Sequence, residues 1–453
     1  MDVILLLQML IAALIGVVVY TAIGVAPGTD ETAVLAPVTL ALVVAGIPLP
    51  VVLAFFMAAI VAKKLTDSIP VSVAGIPGGV MSAPMVEHAM ILKREGHATL
   101  AIRKMASGSV IGTLVAIPVS LLLAFLLTPL ADVLSQYASQ IFFVGAVFLA
   151  LMSREKVISL ISIVILAALI QALRHFYWGM GVIPEGQVVF ISFFLGITIG
   201  PMIFNLAQLT VREERRKMTV HEPKTIKIYA TDNSNDTGRF PNPFRILTRQ
   251  EAVSATASSV LGSVTFFMSP VGITIFLGEV MSSWVKGTVE KASRALSSMD
   301  AVTNAAYIAG ILIPLAALGI PMSPMAIGPG NAFFNAPPVL TLEQNAHHLM
   351  SFSEIAVASI LGASVALLIT YPIAVRYARH ICVFVFQRIP HEAFLAMFFS
   401  LVMLLAFMDA GVMGILGVGV LALVAGLLNR WGVNYGVQFM TLYAAPWLMG
   451  WLA

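Results

Sequence analysis

From Val3 to Ile23 the chain carries no charged side chain, and apolar runs of similar length return along nearly all of its 453 residues. Roughly 20 consecutive apolar residues carry a helix across the hydrocarbon core of a bilayer. Lipid offers the backbone no hydrogen-bond partner, so only helices and closed barrels can span it. The runs here are continuous, not alternating, which selects helices. Composition agrees, with 59% hydrophobic and 10% charged residues and a mean hydropathy of +0.97. The expected fold is an all-α polytopic membrane protein with about 10 to 14 transmembrane segments. The first run has no basic leader and no small-residue cleavage signature, and reads as a retained helix. The single cysteine, Cys382, excludes an internal disulfide and a multi-cysteine metal cluster.

Two interruptions stand out. The apolar run Ala305 to Leu318 stops at Gly319-Ile320-Pro321, and a second apolar stretch starts behind Ser323-Pro324. Each proline lacks an N–H, which disfavours one continuous helix, while Ser followed by Pro is a helix-start signal. The same pattern stands at Gly75-Ile76-Pro77-Gly78, flanked by Ser68-Ile69-Pro70 and Ser82-Ala83-Pro84. The two Gly-Ile-Pro tripeptides are 244 residues apart, and behind each runs a long helix, beginning Ser109-Val110-Ile111-Gly112 and Ser359-Ile360-Leu361-Gly362. Broken helices or re-entrant hairpins in matching positions of two halves are the sequence mark of a transporter's binding site. The expected organisation is a first half at 1–211, a basic cytoplasmic linker at 212–249 and a second half at 250–453, built as inverted repeats. The linker holds nine basic and five acidic residues, +4 in all, which the positive-inside bias retains in the cytoplasm. It shows neither the aromatic interleaving nor the folded basic motif of a nucleic-acid site.

Polar residues elsewhere are read more modestly. A span from Leu49 to Ala62 is expected to end before Lys63, Lys64 and Asp67. Glu87, His88, Lys93 and Arg94 read as a solvated turn, with His88 at the surface, and Phe176, Tyr177 and Trp178 as an interfacial aromatic belt. Asp409 is placed in a loop between two spans. His347 and His348 read as a water-facing pair; as neighbours they do not share a helix face, and only Glu343 could join His347 on a metal. Asp30 and Glu31 either cap the next helix at a water-facing loop or line a path and attract a cation.

The order of motifs resembles the large membrane subunit of the tripartite tricarboxylate transporter family. The matching residues are Gly24-Val25-Ala26-Pro27-Gly28, Ile76-Pro77-Gly78, and Asp300 through Thr303-Asn304 to Leu318-Gly319-Ile320-Pro321-Met322-Ser323. Met322 stands in place of a family glycine, Thr303 of an asparagine and Asp300 of a glutamate. The resemblance implies sodium- or proton-coupled uptake of a small organic carboxylate, of tricarboxylate or dicarboxylate type, across a bacterial or archaeal inner membrane. It further implies a small membrane subunit and a periplasmic binding protein as partners, beside membrane lipid; assembly of several copies stays open.

The residues themselves point the same way. Helix starts at Gly78 to Ser82 and at Ser323 would face an anion, and carbonyls freed at Gly75, Ile76, Gly319 and Ile320, with Thr303 and Asn304, would hold a hard cation such as sodium. The substrate set is therefore Gly75, Ile76, Pro77, Gly78, Gly319, Ile320, Pro321, Met322, Ser323 and Asn304. The cation set is Asp300, Thr303, Asn304, Gly28, Thr29 and Asp30. For Asn304 a helix-to-helix hydrogen bond is the alternative. No lysine or arginine lies in either break motif, so the carboxylate is expected to rest on backbone dipoles, hydroxyls and the coupling sodium ion or proton. No cofactor and no metal beyond sodium is expected, and no nucleophile elbow or metalloprotease pattern marks an enzyme. A channel or a binding-only membrane subunit is the alternative to a secondary active transporter.

Overall fold

The computed structural model describes residues 2–26, 31–74, 78–130, 133, 136–153, 155–184, 190–208, 241–388 and 391–452. Gly28, Thr29, Asp30, Gly75, Ile76, Pro77 and the linker up to residue 240 lie outside the described residues.

The described chain is helical, with one isolated β-bridge and no strand among the described residues. In the first half the helices are α1 (Val3–Val25), α2 (Glu31–Val44), α3 (Leu49–Ala74), α4 (Val86–Arg94) and α5 (Ala98–Leu127). Next come α6 (Ala138–Met152), α7 (Lys156–Gly179) and α8 (Phe190–Gln208). The second half has α9 (Arg249–Val264), α10 (Pro270–Ser282), α11 (Thr288–Ile313), α12 (Phe352–Arg388), α13 (His391–Arg430) and α14 (Tyr435–Leu452). Seven helices among the described residues are long and apolar enough to cross a membrane, and four more are apolar but shorter. The protein is thus a polytopic membrane protein.

Burial sorts these helices into a centre and a rim. The apolar windows of α3 and of α11 are 94% and 100% buried, against 28% to 44% for the other five long helices, whose outer faces are left for lipid. The two helices that lead into the Gly-Ile-Pro motifs are the core of the molecule. Each packs along the Ser-x-x-Gly helix of the other half: α11 runs against α5 and α3 against α12. A methyl group on Gly108 or Gly112 of α5 would collide with the carbonyl oxygens of Ser297 and Ala301, and one on Gly362 of α12 with that of Ala54. Small residues permit this approach of backbones, from which helix association in lipid draws its packing energy.

The fold corrects four sequence expectations. The span starting at Leu49 does not end at Ala62 but continues to Ala74, carrying Lys63, Lys64 and Asp67 into the buried centre. His88 is buried, not at the surface, and its Nε2 lies 2.8 Å from Glu279 Oε1 on α10. Asp409 lies within α13 just before non-helical backbone at Ala410 and Gly411, half-buried, where it accepts from Ser192 N at 2.8 Å and Ser192 Oγ at 2.7 Å. Of the aromatic trio only Phe176 and Trp178 stay toward the rim; Tyr177 is buried and donates to Met413 O at 2.7 Å.

A polar tie at the start of α9, a helix not among the candidate spans, joins it to α5 and α11. Thr248 and Glu251 form a capping box at the start of α9. The Glu251 carboxylate also accepts from Lys104 Nζ at 2.5 Å and Ser293 Oγ at 2.6 Å. Burial alone would raise the Glu251 carboxyl, but the hydrogen bonds from Lys104 and Ser293 outweigh it and hold the group below its usual range. A depressed carboxyl stabilises the fold above the unfolded value of about 4.3 and loses that contribution as pH falls through the folded value. Glu251→Gln is therefore expected to cost about 2 kcal/mol at neutral pH, with the gap to wild type closing as a thermal-unfolding series is taken below about pH 4.

Candidate functional site

Helix α3 places Lys63, Lys64 and Asp67 within one turn of each other, and α2 brings Glu31 to meet them. Glu31 Oε1 accepts from Lys64 Nζ at 2.6 Å and from Lys63 Nζ at 3.3 Å. Asp67 Oδ2 accepts from Lys64 at 2.9 Å and lies 3.9 Å from Lys63. All four are buried, none more than 4% exposed. Lys64 Nζ also stands 5.0 Å from the centre of the Tyr307 ring on α11. Two ammonium groups and two carboxylates can be held so deep only because each is partnered, since an isolated charge there costs several kcal/mol.

The two glycines at the end of the first interruption lie against this cluster. Gly78 and Gly79 are buried, and a Cβ on Gly79 would lie 2.7 Å from Glu31 Oε1 and 3.1 Å from Lys63 Nζ. A Cβ on Gly78 would lie 2.8 Å from Asp67 Cα. The chain resumes in a 3₁₀ turn, Val80–Met85, in which Ser82 Oγ accepts from Gly79 N at 3.0 Å. Two lysines thus stand beside Gly78 and Gly79, next to a break motif that itself contains none.

The second break is built differently. Helix α11 widens into a π turn, Pro314–Leu318, and ends at Gly319 in the left-handed region, φ +67°. Its loosened carbonyls are taken up from residues 345–348: Asn345 Nδ2 donates to Gly319 O at 2.7 Å, and His347 Nδ1 lies 2.9 Å from Leu315 O. Ile320 O accepts from Met322 N at 2.9 Å. Half-buried His347 thus closes a helix end, while His348 is exposed. Among the described residues no group of three or more His, Cys, Asp or Glu is arranged to hold a metal ion.

Ser323 caps the next turn as its sequence announces, accepting from Ala326 N at 2.9 Å. The helix it starts is the single turn Pro324–Ile327, not a second membrane segment, so it has no stack of peptide dipoles to aim at an anion. Ser323 Oγ also donates to Gly310 O at 2.5 Å, pinning the turn back onto α11. Ser323→Ala is expected to lower stability by about 1 to 2 kcal/mol, read from thermal unfolding in detergent.

The segments that follow the two breaks help to line a cavity of about 260 Å³. Glu31, Thr32 and Met81 line it from the first half, and Tyr307, Pro324, Met325 and Gly328 from the second. Ser269, Pro270 and Val271 at the start of α10 form a further wall, and Asn429, Asn434, Tyr435, Gly436 and Phe439 complete it. The cavity is amphipathic, with the Glu31 carboxylate, the Asn429 and Asn434 amides and hydroxyl side chains among its apolar walls, and the lysine pair directly behind Glu31.

The remaining predicted residues lie to one side of it. Asn304 Nδ2 donates to Ser109 Oγ at 2.7 Å and Thr113 Oγ1 to Asn304 Oδ1 at 3.4 Å, both across the α5–α11 seam. Thr303 Oγ1 donates to Asp300 O at 2.8 Å. Asp300 is buried within electrostatic reach of Asp67 and Lys64, and its Oδ2 has no hydrogen-bond partner among the described residues, like Asp67 Oδ1. Of the substrate set, Gly78 sits on the ion cluster and Ser323 supports the turn that lines the cavity, while Gly319 faces His347.

Lys63, Lys64, Asn429 and Asn434 were not among the predicted site residues, and Glu31, read as either a helix cap or a path-lining acid, is found on the cavity wall. The signal for the lysines was present: a Lys-Lys-x-x-Asp set inside an otherwise apolar helix long enough to span is an intramembrane ionisable group.

The sequence model of the tripartite tricarboxylate transporter TctA family matches residues 10–437. No curated protein and no solved structure matches the chain. With nearly the whole length matched, and with interrupted helices buried around a cavity in an apolar helical body, the chain belongs to the TctA family of tripartite tricarboxylate transporters, a family of transporter membrane subunits and not of enzymes.

Proposed function

We propose that the protein carries a small organic carboxylate, tri- or dicarboxylate, across a bacterial or archaeal inner membrane by sodium- or proton-coupled secondary transport, with the cavity lined by the segments that follow the two breaks as the central site. The observation that carries this reading is the Lys63–Lys64 pair, buried and paired to carboxylates beside that cavity. A buried ammonium pair is costly and selects for anions, and the surrounding amides and hydroxyls suit the hydroxyl and carboxyl groups of such substrates. The reciprocal packing of each interrupted helix on the Ser-x-x-Gly helix of the other half supports two repeats moving against each other in alternating access. The unpartnered oxygens of Asp67 and Asp300 are the favoured points for the coupling cation. A small membrane subunit and a periplasmic binding protein complete the system on this reading, and the basic linker lies on the cytoplasmic side.

The test is thermal stability of the purified protein with acetate, succinate and citrate, each with and without sodium. A ligand at 100 times its Kd stabilises the folded state by about 2.7 kcal/mol. A shift with a di- or tricarboxylate that grows with sodium supports coupled carboxylate transport; a shift independent of sodium but steeper at low pH supports proton coupling. No shift with any of the three sinks the carboxylate site.

A further inference from the structure

We propose that Glu31 is the chain's own stand-in for the substrate: its side chain occupies the carboxylate position on the Lys63–Lys64 pair, and a carboxylate of the transported molecule takes that position when it binds. The inference rests on the carboxylate reading above and assigns the anchor and the competitor within it. One oxygen, Glu31 Oε1, accepts from both ammonium groups, at 2.6 and 3.3 Å. The lysines themselves are fixed in α3, whose apolar window is 94% buried, and Asp67 on the same helix also pairs with them, at 2.9 Å from Lys64 and 3.9 Å from Lys63. Asp67 neutralises one positive charge of the two, so the pair always calls for one further carboxylate. Glu31 supplies it from the first turn of α2, and it is the one member of the cluster that also lines the cavity. The socket is cut to a carboxylate: Gly79 forms its wall, where a Cβ would come within 2.7 Å of the Glu31 oxygen.

Exchange of one carboxylate for another keeps both ammonium groups paired throughout, so neither is left as an uncompensated buried charge, while Glu31 swings into the amphipathic cavity. The groups facing Glu31 during this exchange are Lys63, Lys64 and Asp67 of α3 and the Lys64-bound face of Tyr307 on α11. Competition of this kind keeps the site closed to weak anions, because an entering anion must outdo a tethered carboxylate held at high local concentration.

The experiment compares citrate, succinate and acetate binding by calorimetry to wild type, Glu31→Gln, Glu31→Asp and Lys64→Gln, each checked for a monodisperse folded state. Glu31→Gln keeps the shape and removes the competing charge, so it is expected to bind the preferred di- or tricarboxylate at least 10-fold tighter and to take up acetate measurably. Glu31→Asp, which withdraws the carboxylate by one methylene, is expected to fall between, and serves alone if the glutamine variant does not fold. Lys64→Gln is expected to lose binding. Unchanged or weaker binding in both Glu31 variants, with wild type still binding, overturns the stand-in role and leaves the carboxylate site intact. Failure of every form, wild type included, to bind any of the three overturns the carboxylate reading and this inference with it.

Discussion

Replacing Lys64 with methionine is expected to abolish carboxylate uptake into proteoliposomes and to lower the stability of the protein by about 3 to 5 kcal/mol. Lys64 is bonded closely to both acids, at 2.6 Å from Glu31 and 2.9 Å from Asp67, whereas Lys63 stands 3.3 and 3.9 Å away. Its loss leaves two buried carboxylates sharing one distant ammonium group, and one of them must take a proton or open a path to water. Methionine matches the volume of the lysine stem, so cavity formation contributes little. The double change Lys64→Met with Asp67→Asn removes one charge of each sign and is expected to recover most of the stability but none of the uptake. That split separates the ammonium group's part in binding from its part in folding. Wild-type uptake by a well-folded Lys64→Met variant would remove the cluster from the transport site altogether.

The second large effect is expected from Gly362→Leu. A Cβ at this position meets the carbonyl oxygen of Ala54 and comes within 3.1 Å of Ala58 N, both parts of a helix backbone that cannot yield as a side chain can. The leucine must therefore push α12 from α3 along their whole contact, and a loss near or above the upper end of ordinary overpacking, about 3 kcal/mol, is expected. Gly362→Ala is the graded control, with the same contact and a smaller group. Because α3 carries Lys63, Lys64 and Asp67, the displacement is expected to depress carboxylate affinity as well, read by calorimetry on whatever folded fraction remains. Gly108→Leu or Gly112→Leu on the α5–α11 seam is expected to cost as much in stability, through the carbonyls of Ser297 and Ala301.

What could be read from residues alone is bounded by the reach of local rules. The continuity of apolar runs dictated helices, because no other element satisfies its own backbone in lipid. Ser323 announced its N-cap role, and Gly319-Ile320-Pro321 the end of the run before it, through chemistry contained in a few neighbouring residues. The length of the helix behind a cap was not readable in the same way. Pro324 starts a helix that ends after one turn, where Gly328-Pro329-Gly330 breaks it, a local stop that a reading by apolar run length passes over.

The misread residues share one cause. Lys63, Lys64, Asp67 and His88 were each judged by polarity, which in a sequence signals water, yet Lys63, Lys64 and His88 are buried against a partner from elsewhere in the chain, and Asp67 against the two lysines one turn before it. Glu31 is 32 and 33 positions from the two lysines, and Glu279 is 191 positions from His88. Asn304 likewise met its partners Ser109 and Thr113 across the halves.

The sequence by itself therefore determined the solvent this protein lives in, its helical class, the two interruptions and the family to which it belongs, since each is set by the order of residues along a short stretch or a whole profile. Only the tertiary structure decided that α3 and α11 are the core, that the segments following the two breaks share one cavity, and that behind its Glu31 wall stands a buried lysine pair. The physical reason is that a charge's cost in the membrane depends on what stands within about 4 Å of it, and those neighbours are chosen by packing between distant segments, not by the residues beside it in the chain.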